Sequence, residues 1–164
     1  MDFNIEGEFS KICGIPREEI RKYEKFLTAI VRSVEITAVK DDFLQNLAVK
    51  IGSVIDSKNK KPHFINIMER DLEDKPERYK AFFFCQDIYS RAFIYYDSKL
   101  KDEKTKWILI AREIGAIMNE RLLKRKDLKT INYLFAYIVL ERVINYGIFI
   151  SDKELFNKII FFCN

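Results

Sequence analysis

The run Trp107-Ile108-Leu109-Ile110-Ala111-Arg112-Glu113-Ile114-Gly115-Ala116-Ile117-Met118 carries a single charged pair and is apolar on nearly every side of a helix. A helix without a polar face has to be enclosed by other elements, so a helix over about residues 102–123 is expected at the centre of the fold. The rest of the chain can supply that enclosure. Of 164 residues, 48% are hydrophobic, including 14 Phe, 8 Tyr and 1 Trp, and a single domain of this size buries a substantial core. Five Gly and three Pro leave little room for short strands and tight turns, so helices should dominate.

Residues 1–15 are poorly patterned and read as a variable lead-in, with 16–164 as one domain. After Gly14-Ile15-Pro16, apolar residues recur at three- and four-residue steps from Ile20 to Val34, an amphipathic helix to about residue 36. A second helix is expected after Asp42, with Gln45 as its capping-box partner and Gly52 as its C-terminal stop. Ser53-Val54-Ile55 reads as a short strand. The segment from His63 to Leu72 suits helix or strand and leans to helix. Ala81–Cys85 and Ala92–Tyr96 flank a polar turn and read as an aromatic hairpin whose continuous apolarity implies cover on both faces. Beyond the central helix, Leu128 to Val143 gives a long helix ending near Gly147. A last helix starts at Ser151, with Glu154 completing a capping box.

Charge and cysteine usage exclude some classes. Lys and Arg number 29 against 25 Asp and Glu, a mild excess that is weak evidence for nucleic acid or an anionic membrane. Cys13, Cys85 and Cys163 are odd in number and widely spaced, which argues against a secreted disulfide framework. Cys85, inside an apolar run, reads as a small buried hydrophobe. No basic-then-apolar leader and no span of about 20 apolar residues is present, so the expected location is cytoplasmic, without a membrane partner.

The central run also has the layout of the helix that carries HExxH in zinc peptidases, where two histidines one turn apart hold the metal and a glutamate activates water. The order of parts extends the likeness: two helices, an aromatic hairpin, Ile94-Tyr95-Tyr96-Asp97, then Ala111-Arg112-Glu113-Ile114-Gly115-Ala116, then Asn132-Tyr133-Leu134-Phe135-Ala136. This resembles the ImmA/IrrE family of small zinc peptidases. The first segment matches AHELGH at Ala111, Glu113 and Gly115. The second matches A-N-x-F-A with one residue inserted between Asn132 and Phe135. The resemblance implies an α+β, zincin-like fold, mostly helical, with a small antiparallel sheet packed on a buried central helix.

The departures from that pattern remove the chemistry. Arg112 and Ala116 stand at the former metal positions; arginine offers no lone pair and alanine no donor atom. Where the glutamate ligand should fall the chain has Leu128, Lys129 and Thr130, with Asp127 the nearest carboxylate. Glu113 survives as a relic of the general base, and no metal or cofactor is expected. Arg112 has two readings: a guanidinium replacing the metal's charge, paired with Glu113 or Asp127, or a side chain on a solvated edge beside a filled pocket.

His63, the only histidine, reads as a loop or core residue. Glu18, Glu19 and Glu120 read as surface or capping charges. Lysine-rich stretches at residues 58–61, 99–106 and 124–129 are interleaved with acids and look like solvated surface. Phe82 to Phe84, Tyr89, Tyr95 and Tyr96 could stack bases, but a hairpin core accounts for them more simply. The expectation is therefore a non-enzymatic, peptidase-like protein that binds another protein through a groove between the hairpin edge and the Arg112 helix. By family context the partner would be a repressor or host factor, in a phage or mobile-element setting. The alternatives are a nucleic-acid-binding regulator using the lysine-rich loops, and a metallopeptidase with ligands rebuilt from His63, Asp127 or a cysteine.

Overall fold

The computed structural model describes residues 3–124, 129–144 and 152–163. Within them the chain is mixed α and β, with six α-helices and one three-stranded sheet. The helices are α1 (Ile5–Cys13), α2 (Arg17–Arg32), α3 (Lys40–Ser57), α4 (Glu103–Met118), α5 (Lys129–Ile144) and α6 (Asp152–Cys163). The strands are β1 (Phe64–Arg70), β2 (Ala81–Gln86) and β3 (Arg91–Asp97), in the order β1-β3-β2. No described helix is long and apolar enough to cross a membrane.

The central helix is where its composition requires it. Asp102 caps α4 by accepting the Lys104 amide at 3.2 Å, and a π-helical turn (Asn119–Leu123) follows it. Helix α4 packs against α3, α5, α6 and the sheet, and Ile108, Leu109, Ala111, Ile114, Ile117 and Met118 are fully enclosed. Helix α5 forms the second buried column, with Phe135, Ala136, Val139 and Leu140 wholly inside. The two helices meet closely at Gly115, where a β-carbon would lie 3.1 Å from the Phe135 ring and 3.3 Å from the Asn132 Cα. The poorly patterned N-terminal segment holds α1, capped by Asn4, and its Phe9 is a fully buried core residue packed edge-on against Phe156.

Several local expectations are corrected. His63–Leu72 is not helical: Phe64–Arg70 is a strand paired in parallel with β3, with Phe64 opposite Arg91. The sheet is accordingly mixed, with only β2 and β3 antiparallel. Ser53-Val54-Ile55 lies inside α3, which runs through Gly52 rather than stopping there. The capping box is absent, because α3 starts at Lys40 with Val39 as its N-cap. Gln45 instead reaches the outer side of β1, donating to the Ile65 carbonyl at 3.1 Å and accepting from the Ile67 amide at 2.9 Å. Its carboxamide has the same donor and acceptor as a peptide unit, so it occupies part of an edge that would otherwise be open.

The sheet is covered on one face only. Ile65, Ala81, Ala92 and Ile94 point inward and are buried. On the other face Phe64, Met68, Phe82 and Phe84 are exposed, at 65%, 45%, 42% and 52%, so the hairpin aromatics are not enclosed on both sides. The near-continuous apolarity of Phe82-Phe83-Phe84 reflects an apolar outer surface, not a second covering layer.

Candidate functional site around Arg112 and Glu113

Arg112 and Glu113 sit in the middle of α4, on the side facing the start of β2 and the end of α6. The guanidinium is half-buried and its fork is fully used. Nη1 donates to the carbonyls of Arg78 at 2.6 Å and Phe162 at 2.9 Å. Nη2 donates to the Ala81 carbonyl at 3.0 Å and to Glu113 Oε1 at 2.8 Å, and Nε reaches the same Oε1 at 3.2 Å. One side chain thus joins the 3₁₀ turn Glu77–Tyr79, the first residue of β2, the last turn of α6 and the neighbouring carboxylate. The Phe162 carbonyl belongs to the helix end, where backbone acceptors lack intrahelical donors and cations are favoured. Of the two readings of Arg112, the solvated edge does not hold; Arg112 is a bonded hub.

Glu113 is 8% exposed. Burial, the largest influence, pushes its carboxyl above the ordinary value of 4.5, and the charge and hydrogen bonds of Arg112 pull only partly the other way. An acid raised in this way holds its proton more tightly in the folded chain than in the unfolded one. Its contribution to stability is therefore full at acid pH and declines as pH rises through the ordinary value towards the raised one. Glu113→Gln should remove that decline. Denaturant unfolding at stepped pH is expected to show the variant gaining on the parent as pH increases, whereas parallel curves would contradict the assignment. Glu24, also raised, chiefly by burial and then by Glu6, is common to both chains and cancels in the difference.

The remaining sequence candidates are only partly brought together. Ala116, one turn beyond Arg112, is half-buried and bare of donors. Asn132 lies on α5 against Gly115, makes no hydrogen bond to Arg112 or Glu113, and its Oδ1 is buried without a partner among the described residues. Asp127 lies outside the described residues, as do Gly147 and Ser151. His63 Nε2 pairs with Asp56 Oδ1 at 3.2 Å at the entrance to β1. Cys85 is half-buried on β2, and burial pushes its thiol up. Among the described residues no three His, Cys, Asp or Glu side chains converge as a metal site would need. The donor set beside Glu113, a guanidinium and a methyl group, does not fit a zinc ion. The three carbonyl partners of Arg112 could not be foreseen, since a backbone acceptor leaves no signature in the sequence.

The hydrogen-bond phase of the hairpin shows what borders this site. The Asp97 amide donates to the Lys80 carbonyl at 2.9 Å, so in the β2–β3 register Phe82 and Phe84 bond to β3 while Ala81, Phe83 and Cys85 turn their backbone groups outward. Arg112 takes the outward carbonyl of Ala81. Those of Phe83 and Cys85 have no partner among the described residues. No family model, curated protein or solved structure matches the chain.

Proposed function

We propose that the chain is a non-catalytic, peptidase-like scaffold of the ImmA/IrrE kind that binds an extended segment of a protein partner along the outer edge of β2. The observation that carries this reading is the asymmetry of the two sheet edges. Gln45 blunts β1, whereas β2 keeps the amides and carbonyls of Phe83 and Cys85 turned outward beside the Arg112 hub. An open edge of this kind accepts an added strand through main-chain bonds. Arg112 and Glu113 neutralise each other and tie the groove's end to α6, so the groove keeps its shape without a metal to organise it. Arg112 and Ala116 offer no lone pair to a metal, so Glu113 would have no metal-activated water to deprotonate.

A display library of random linear peptides, panned on the purified chain, tests the reading. Selected peptides are expected to be recovered uncleaved and to slow amide exchange at Phe83 and Cys85. Phe83→Pro removes one outward N–H without touching a bond to β3. It should abolish selection while the far-ultraviolet circular dichroism is retained. Protection confined to other elements, equal binding to Phe83→Pro, or cleavage of the peptides would each overturn the proposal.

A further inference from the structure

The outer face of the sheet is separate from the β2 edge, and its chemistry is of another kind. Its rings form a continuous plate. Phe93 and Tyr95 on the central strand are stacked, with centroids 5.9 Å apart and planes 20° off parallel, and Phe82 lies 5.3 Å from Tyr95. Two guanidinium groups lie over this plate, Arg70 4.3 Å from the Tyr95 centroid and Arg91 5.3 Å from that of Phe93. Arg91 bonds Gln86 at 2.6 Å, and neither arginine has a carboxylate partner among the described residues. Asp97, the one acid in register with this face, is fully buried, its Oδ1 accepting the Leu72 and Lys99 amides.

Cationic charge continues past the Arg91 end. The loop carrying Lys58, Lys60 and Lys61 leads directly into Phe64, and the His63 and Phe64 amides both bond the Ser90 carbonyl in the β2–β3 turn, at 3.0 and 3.1 Å. Lys60 also lies close enough to Lys124 for their repulsion to hold its ammonium below the usual lysine value. Lys60 and Lys124, which belong to stretches far apart in the sequence, are thus neighbours at one corner of an aromatic plate.

We infer that this outer face is a docking platform for single-stranded nucleic acid, with bases stacking on the exposed Phe82 and Phe84 rings and on the Arg70 and Arg91 guanidinium planes over Tyr95 and Phe93, and phosphates meeting the lysine corner. Flat rings accept any base, and guanidinium groups among them neutralise the backbone that links successive bases. A seven-residue strand is about 23 Å long, which accommodates a few nucleotides. A second copy of the chain is a poorer occupant, since the face would bring cations to cations, and the exposed acids that flank its strands in the chain, Asp71 and Asp87, are already paired with Lys99 and Arg121. The inference does not rest on the peptide reading of the β2 edge, and either can fail alone.

Fluorescence anisotropy with labelled oligo-dT and oligo-U of about 12 nucleotides, against a duplex of the same length, provides the test. Single strands are expected to bind more tightly than the duplex and to lose about tenfold in affinity between about 50 and 200 mM salt. Tyr95→Leu and Phe84→Leu keep apolar bulk but remove a ring, and each should weaken binding by about tenfold. Arg91→Glu, at a half-buried side chain on this face, should abolish it with circular dichroism unchanged. The inference is overturned by equal affinity for duplex, by leucine variants that bind like the parent, or by no binding. It is also overturned if sedimentation shows a dimer that the leucine variants retain and Arg91→Glu strengthens, which would make the face an interface between copies.

Discussion

Arg112→Ala is expected to destabilise the chain by about 3–5 kcal/mol, the range for removing one partner of a buried, hydrogen-bonded charge pair. For a chain of this size that corresponds to a fall in Tm on the order of 10 °C. Two costs combine. Glu113, 8% exposed, loses its one hydrogen-bond donor among the described residues, and the carbonyls of Arg78, Ala81 and Phe162 lose theirs at the junction of three elements. The first cost depends on pH and the second does not. Below the raised value of Glu113 the carboxyl is protonated with or without the arginine, so the deficit should shrink as pH falls but not vanish. Arg112→Lys keeps the charge but not the fork, and a single ammonium cannot meet three carbonyls and a carboxylate; it should recover a minority of the loss. Urea unfolding of the three chains across pH measures all of this. A deficit below about 1 kcal/mol, the worth of an exposed ion pair, would mean the hub is not structural.

The sequence was most legible where one segment sufficed to decide its own environment. The 107–118 run has no polar face, so burial on all sides followed without knowledge of its neighbours. The hairpin was legible because its two strands and turn lie within 17 residues, Ala81–Asp97. Beta1 was not. Phe64, Ile65, Met68 and Leu72 satisfy a helical spacing, and what makes them a strand is a parallel partner that begins 27 residues later, at Arg91. Gln45 misleads for a related reason: a carboxamide three residues after Asp42 fits a capping box, yet the peptide groups it serves are at Ile65 and Ile67. Arg112 and Glu113 stand out as the only charges in the 107–118 run. Their pairing was one of two readings, but the hub could not be read, because its other members are carbonyls.

That difference bears on the two surfaces proposed for binding. The β2 edge is defined by which backbone groups point outward, a property of register. The aromatic face is defined by which side chains share a side of the sheet, and it depends on β1 being a strand: as a helix, Phe64, Met68 and Arg70 would not align with Phe93 and Tyr95. The base-stacking role of the aromatics looked weaker than a hairpin core only while the third strand was missing from the picture.

Gly52 is the position where that third strand can be tested most directly, and Gly52→Ala should be destabilising although helix propensity points the other way. In an exposed helix interior the change would stabilise by about 1 kcal/mol. Here Gly52 is buried in α3, and a β-carbon would collide with the His63 carbonyl oxygen and lie 2.9 Å from its carbon. The obstacle is backbone, fixed by the His63 and Phe64 amides bonding the Ser90 carbonyl, so no side-chain rotation relieves it. The start of β1 must move away from α3, against the Gln45 bonds that hold Ile65 and Ile67. The expected cost is about 2–3 kcal/mol, at the upper end for overpacking a core. The loss should be local in origin: in native-state hydrogen exchange the Ile67 amide, which bonds Gln45, should lose protection before the amides of α4 and α5. An increase in stability, or a uniform loss of protection, would show that α3 and β1 are not in the contact described, and the alignment of the aromatic face would fall with it.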